Sequence, residues 1–182
     1  MENIKDAFVP FKKIARLSRG CVVMEKLDGT NGVISITPEG NFLVGSRTRW
    51  ITPEDDNYGF AKWARANRGE LMRLGEGAHY GEWWGQGIQR NYGLTEKRFS
   101  LFNTARWSDD SLRPKCCHVV PVISSGVFDT GMVNDCADIL RKSGSRAAPG
   151  FMKPEGVVVF HSASNIYFKK TLDKDEEWKG NK

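Results

Sequence analysis

The sequence is poor in the residues that build metal clusters and disulfide frameworks. Its four cysteines, Cys21, Cys116, Cys117 and Cys136, form no Cys-x-x-Cys pair, and only His79, His118 and His161 are present to join them. Zinc sites are usually announced by paired ligands a few residues apart. Cys116-Cys117-His118 instead runs straight into the apolar stretch Val119–Val122 and reads as the start of a strand. The thiols are therefore expected to be reduced and partly buried. No apolar run approaches the roughly 18 residues that cross a bilayer, and the opening MENIKDAFVPFKK has no signal-peptide core. These absences predict an intracellular, cytoplasmic chain without membrane contact. Internal repeats and low-complexity linkers are also absent, and 182 residues are one domain's worth.

What is present is the balance of a soluble globular protein, 40% hydrophobic and 27% charged. The net charge of +5 fits a polyanionic partner. Cations gather locally at Lys12-Lys13, Arg16/Arg19, Arg47/Arg49 and Arg65/Arg68. Six tryptophans and ten phenylalanines, several beside Arg or Gly, offer flat surfaces on which a base can stack.

Periodicity places a strand at Cys21–Lys26, ending at the Asp28-Gly29 turn. Val33–Thr37 and Phe42–Ser46 read as a hairpin around Pro38-Glu39-Gly40-Asn41. Phe60–Leu74 reads as one amphipathic helix. Tyr80–Trp84, Phe99–Asn103 and Val119–Ser124 are strand-like. Met132–Lys142 is a helix capped by Asp129 or Thr130 and ended by Gly144. Gly156–His161 and Ile166–Leu172 close the chain as a second hairpin. Many short strands with two helices between them predict an α+β domain on antiparallel sheets. The domain is expected over 1–172, with a charged C-terminal tail over 173–182.

The chemistry starts at Glu25-Lys26-Leu27-Asp28-Gly29-Thr30-Asn31-Gly32, which puts an amine in a tight turn beside a carboxylate. Such a lysine is a nucleophile when burial or nearby cations favour its neutral form. The competing reading is a plain Asp-Gly hairpin turn with Lys26 on the surface. The segment resembles motif I of the covalent nucleotidyltransferases, the superfamily of DNA ligases, RNA ligases and mRNA capping enzymes. The form Glu-Lys-x-Asp/His-Gly-Thr-Asn is typical of RNA ligases related to the phage enzyme that seals nicked duplex RNA. The family's other motifs follow in order. Ser46-Arg47-Thr48-Arg49 resembles motif Ia, Tyr80-Gly81-Glu82-Trp83-Trp84-Gly85 motif III, and Phe99-Ser100-Leu101-Phe102-Asn103 motif IIIa. Glu155-Gly156-Val157-Val158-Val159 resembles motif IV, and Tyr167-Phe168-Lys169-Lys170-Thr171-Leu172 motif V. Singly, Glu82 reads as a strand residue, Phe102 as a core aromatic, Glu155-Gly156 as a turn and the lysines as an edge-strand pair. Their conjunction in family order favours the functional reading.

The resemblance implies an antiparallel-sheet nucleotidyltransferase domain, the ATP-grasp-like adenylation domain of DNA and RNA ligases. It implies ATP and Mg²⁺ (or Mn²⁺) as cofactors and RNA or a nicked duplex as partner. Lys26 would carry AMP, Glu25 would accept from the adenine amino group, Glu82 would bind the ribose and Phe102 would stack on adenine. Glu155 with Asp28 would serve the metal, and Lys169 with Lys170 the α-phosphate. Arg47 would contact the nucleotide or the polynucleotide, and Asn31 and Arg49 join it as nucleic-acid contacts.

Two departures stand out. Family motif V spaces its lysines as Lys-x-Lys, on one strand face, whereas Lys169 and Lys170 are adjacent, which predicts that Lys170 points away. The sequence also ends soon after motif V, so neither an OB nor a helical C-terminal domain is expected. The expected activity is ATP-dependent sealing of 5′-phosphate to 3′-hydroxyl ends or nicks in RNA through a lysyl-AMP intermediate. A minimal DNA ligase and a non-catalytic nucleic-acid end-binding module are the alternatives. The wording GEWWGQGIQRNYG and SRTRW is similar to that of phage-encoded RNA ligases, which implies a phage origin and a host cytoplasm.

Overall fold

Short runs rich in Val, Ile, Leu and Phe make β1 (Gly20–Lys26), β2 (Thr30–Ile36) and β3 (Phe42–Gly45), and the expected hairpin joins β2 to β3. The computed structural model describes residues 10–173. The later strands are β4 (Gly77–Gly85), β5 (Lys97–Leu101), β6 (Cys117–Val119), β7 (Val122–Val127), β8 (Gly156–His161) and β9 (Ile166–Thr171). They form a four-stranded sheet in the order β7-β1-β8-β9 and a five-stranded sheet in the order β3-β2-β4-β5-β6. Lys26 ends a strand of the first sheet and Thr30 begins a strand of the second. The Asp28-Gly29 turn is therefore a crossover between layers, not a hairpin.

Three apolar clusters hold the layers. Met24, Leu27, Trp84, Tyr92 and Val120 pack between the sheets. The outer face of the four-stranded sheet, with Cys21, Val23, Val157 and Val159, is covered by Val133, Cys136 and Leu140 of the helix Thr130–Ser143. The outer face of the five-stranded sheet, with Ile34, Trp83 and Phe99, is covered by Phe60, Ala64, Leu71 and Leu74. Burial of each large side chain contributes about 1.5–3 kcal/mol.

Four expectations need correction. The single helix over Phe60–Leu74 is broken into α1 (Phe60–Ala66), α2 (Arg68–Leu71) and a 3₁₀ turn. Asn67 interrupts it, its side chain donating to the Trp63 carbonyl at 2.9 Å. The strand over Val119–Ser124 is two strands in different sheets. Pro121 lacks an N–H for a ladder, and its carbonyl instead accepts from Glu25 N at 2.9 Å where the chain changes layers. The short helix α3 (Thr104–Trp107) is additional, capped by the Asn103 side chain. Finally, β5 and β6 pair parallel in otherwise antiparallel sheets. The last helix, α4 (Thr130–Ser143), runs as expected; Asp129 is its cap, and Gly144 at φ 78° ends it.

All four cysteines are free thiols, with Cys21, Cys117 and Cys136 buried. Among the described residues no helix is long and apolar enough to cross a membrane. Of the expected tail, only Asp173 lies within the described residues.

Candidate active site

Between the sheets lies a cavity of about 570 Å³. Its lining takes Met24, Glu25 and Lys26 from β1, Leu27 and Asn31 from the crossover and β2, and Arg47 from the loop after β3. Glu82 of β4, Phe102 just past β5, Val120, Val158 of β8, and Tyr167, Phe168 and Lys169 of β9 complete it. A second cavity, of about 470 Å³, lies beside α4 on the outer face of β8–β9 and touches none of Glu25, Lys26 and Glu82.

Register decides which side chains enter the inter-sheet space. Directly opposed residues of an antiparallel pair share a face. Val158 opposes Lys169 and belongs to the inter-sheet cluster, whereas Val157 opposes Lys170 and packs under α4. Lys169 thus faces the inter-sheet cavity and Lys170 the outer side, as the adjacent spacing predicts. Lys170 is not brought to the site.

The Lys26 ammonium donates to Glu155 Oε2 at 2.5 Å, and both side chains are largely withdrawn from solvent. Glu82 is 9% exposed and spans the crossover, Oε1 accepting from Gly29 N at 3.0 Å and Oε2 from Asn31 Nδ2 at 3.2 Å. Only glycine allows that approach, since a Cβ on Gly29 would lie 2.4 Å from the Trp83 carbonyl oxygen. Burial pushes the Glu82 carboxyl up to about 7, against the nearby Lys26 charge and the Gly29 N–H bond, which favour ionisation.

Glu25 is 2% exposed. Its Oε2 accepts from Arg146 N at 2.8 Å and Ala147 N at 3.0 Å, while Oε1 is buried with no hydrogen-bond partner. Burial pushes the Glu25 carboxyl above the usual carboxylate range, opposed by the nearby Ser145 side chain and the two N–H groups. A buried acceptor left unpaired costs about 1–3 kcal/mol, and in a cavity wall it is a place for a ligand donor.

Besides Lys170, two further expected site residues lie elsewhere. Asp28 does not line the cavity, because its carboxylate is paired with Arg90, Nε to Oδ2 at 2.9 Å. Arg49 is also outside, held by Asp55 through Nη2–Oδ1 at 3.0 Å and a second, shorter contact. Among the described residues no group of three or more His, Cys, Asp and Glu side chains could hold a metal. Asp28 and Glu155 therefore do not form a preset cage; a Mg²⁺-type site built from one carboxylate plus ligand phosphates is compatible with Glu155 alone.

The family model for RNA ligase matches residues 19–171. The chain belongs to the RNA ligase family. Among solved structures, variants of the Naegleria gruberi RNA ligase are similar in fold. A form with AMP and Mn superposes with a TM-score of 0.60 at 22% identity, covering 85% of this chain and 50% of that one. A form with ATP and Mn gives 0.60 at 19%, covering 86% and 51%, and an apo form gives 0.61 at 21%, covering 85% and 50%. The chain thus spans about half the length of those ligases. Comparison with curated proteins finds no match.

Several residues of this RNA-ligase domain were not legible as site residues. Arg90 and Tyr92 engage Asp28, and the backbone of Arg146 and Ala147 anchors Glu25. The density of Gly, Asn and Gln over 85–93 signals an irregular loop, and Gln89, Asn91 and Tyr92 do adopt positive φ. Nothing local in the sequence says which side chains that loop delivers.

Proposed function

We propose that the chain is an ATP-dependent RNA-joining enzyme that stores AMP on Lys26. The observation that carries the reading is the ordered cavity wall. The amine of Lys26 touches Glu155 at 2.5 Å, and Glu25, with a buried unpartnered acceptor, lines the same inter-sheet cavity. Glu25 Oε1 would accept from the adenine amino group, Phe102 and Val158 would flank the base, and Glu82 would take the ribose hydroxyls. Lys169 and Arg47 would hold phosphate, and Glu155 would hold Mg²⁺ or Mn²⁺. The ion supplies a Lewis acid that offsets charge developing on the phosphates.

In the ion pair the amine is charged and cannot attack. Its proton has to leave, and Glu155 is the carboxylate that touches it. The Lys26 nitrogen then bonds the α-phosphorus as the bond to the departing pyrophosphate breaks, while Lys169 stabilises the added negative charge. In the later steps AMP passes from Lys26 to a 5′-phosphate, and a 3′-hydroxyl attacks that phosphate and releases AMP. Asn31, Arg47 and Arg49 are the proposed contacts to RNA or a nicked duplex; Arg49 would first have to leave Asp55. An intracellular setting, in the cytoplasm, belongs to the same proposal.

Incubation of the purified chain with labelled ATP and Mg²⁺ or Mn²⁺ should label the protein through a bond that survives denaturing electrophoresis. Absence of label across a range of pH and both metals would reject the reading. Base selectivity gives a sharper test. In Glu25→Gln the amide oxygen would keep the Arg146 and Ala147 N–H groups, leaving an NH₂ where the unpartnered Oε1 stands. That donor suits the guanine carbonyl and repels the adenine amino group. The ATP-to-GTP labelling ratio should fall at least about tenfold; an unchanged ratio would remove Glu25 from base recognition.

A further inference from the structure

Arg90 takes no part in the proposed chemistry, yet its guanidinium meets three segments that do. Nε donates to Asp28 Oδ2 at 2.9 Å, Nη1 to the Lys153 carbonyl at 3.0 Å and Nη2 to Asp173 Oδ2 at 3.1 Å. Asp28 lies in the crossover that follows Lys26, Lys153 lies just before Glu155, and Asp173 lies just past β9, which carries Lys169. Leu172 N also bonds the Glu155 carbonyl at 2.9 Å, so the last two segments are themselves joined.

A planar fork with donors on all three nitrogens can hold three acceptors in fixed directions, whereas an ammonium on a flexible stem cannot. Tyr92 adds a second tie from the same loop, its hydroxyl accepting from Asp28 N at 2.8 Å. The Tyr92 ring is wedged against Trp84 and Phe151, with centroids 4.8 and 4.7 Å away. The loop presents both side chains through left-handed backbone at Gln89, Asn91 and Tyr92, with φ of 44°, 60° and 53°. Non-glycine residues avoid that region, and it persists where the surroundings hold it in place.

We propose that Arg90 is a positioning residue that sets the approach of Lys26 to Glu155 and to the phosphorus under attack. The inference rests on the lysine-adenylation reading above. The nucleophile's crossover and the Glu155 arm share Arg90 as a common anchor. Without it their relative placement rests on the β1–β8 ladder, the Tyr92 and Glu82 bonds to the crossover and the Leu172–Glu155 bond, and it loosens by a fraction of a residue spacing. The base and ribose contacts at Glu25, Phe102 and Glu82 are fixed by other groups, so ATP binding is largely spared. The loss falls on the chemical step.

The test is rapid-quench measurement of covalent adenylate formation by the full chain, with labelled ATP at varied concentration. Wild type, Arg90→Ala, Arg90→Lys, Asp28→Asn and the double variant Arg90→Ala/Asp28→Asn are compared. Both Arg90 variants should lower the saturating rate roughly 100-fold, the loss a displacement of order 1 Å produces, with half-saturating ATP within about threefold of wild type. The double variant should be no slower than the slower single by more than about threefold, as expected for residues acting through one contact.

Arg90→Ala at a wild-type rate would overturn the inference, as would a loss confined to ATP affinity or full rescue by Arg90→Lys. Should Arg90→Ala fail to fold, Asp173→Ala removes one arm at a carboxylate that is 63% exposed. Its rate should fall about fivefold by the same positioning argument, and an unchanged rate would overturn the inference. Wild type that takes no label rejects the functional reading and this inference with it. Wild type that labels beside an unaffected Arg90→Ala rejects this inference alone.

Discussion

Lys26→Ala should fold like the parent chain and carry no AMP after incubation with ATP and a divalent cation. The side chain ends β1 and retains 23% exposure, so its removal empties no core position. The Lys26–Glu155 contact it deletes is largely withdrawn from solvent, so Glu155 is left without its cation and some stability is lost. Urea unfolding should therefore shift to lower denaturant while remaining one cooperative transition. The catalytic change is of another order. No other lysine meets Glu155 in a side-chain hydrogen bond among the described residues, and Lys169 stands two strands away in the same sheet, where its proposed task is to hold phosphate. Loss of a covalent nucleophile costs about 10⁴-fold or more, below detection in a labelling assay. Lys26→Arg should be equally inactive, because a guanidinium keeps its proton and cannot attack. Sealing of an RNA end that already carries AMP bypasses Lys26 and should persist in both variants. Label on Lys26→Ala would place the nucleophile elsewhere and end the proposal.

Glu82→Gln should make the protein more stable at pH 8 while removing much of its activity. The folded carboxyl sits at about 7, well above the ordinary 4.5 of a glutamate. A carboxyl raised in this way binds a proton more readily folded than unfolded, so its contribution is present at low pH and is lost as pH rises through about 7. Holding the carboxylate ionised at pH 8 costs at most about 3 kcal/mol relative to pH 4. Glutamine avoids that cost but offers one oxygen where Gly29 N and Asn31 Nδ2 use two, a loss of about 1 kcal/mol. The expected difference from wild type is about +2 kcal/mol at pH 8 and about −1 kcal/mol at pH 4. Denaturant curves at the two pH values measure it directly. A difference that does not change with pH would mean that Glu82 is not held as described. Stability gained by silencing a buried carboxyl, with activity lost, is the pattern expected of a group kept for function.

The parts of the site legible in the sequence were those whose meaning is local. Lys26, Glu25, Glu82, Phe102, Glu155 and Lys169 stand in short motifs whose order survived into the fold, and strand alternation alone separated Lys169 from Lys170. The crossover at Asp28-Gly29 was visible as a turn but not as a change of sheet, and the strand expected over Val119–Ser124 ran across Pro121 without a break. Apolar alternation tells which face of a strand is buried and says nothing of which sheet the strand joins. The parallel pairing of β5 with β6 escaped for the same reason. Asp28 was assigned to the metal because it is an acid beside the nucleophile. Its partner Arg90 lies far along the chain, in a loop whose backbone no period describes.

The placement of the cavity between the layers has a mechanical consequence. Lys26, Glu25 and Lys169 are carried by one sheet, whereas Glu82 and Asn31 are carried by the other, with Phe102 at its edge. A nucleotide bridging those groups would act as a rivet through two plates that otherwise meet through apolar packing, the polar ties of Arg90 and two chain crossings. Its departure requires the plates to part, so ligand residence and the breathing of the inter-sheet seam become one rate. On the proposed reading, AMP bonded to Lys26 would anchor the rivet at one end, and only the opposite plate would have to let go when AMP is handed on.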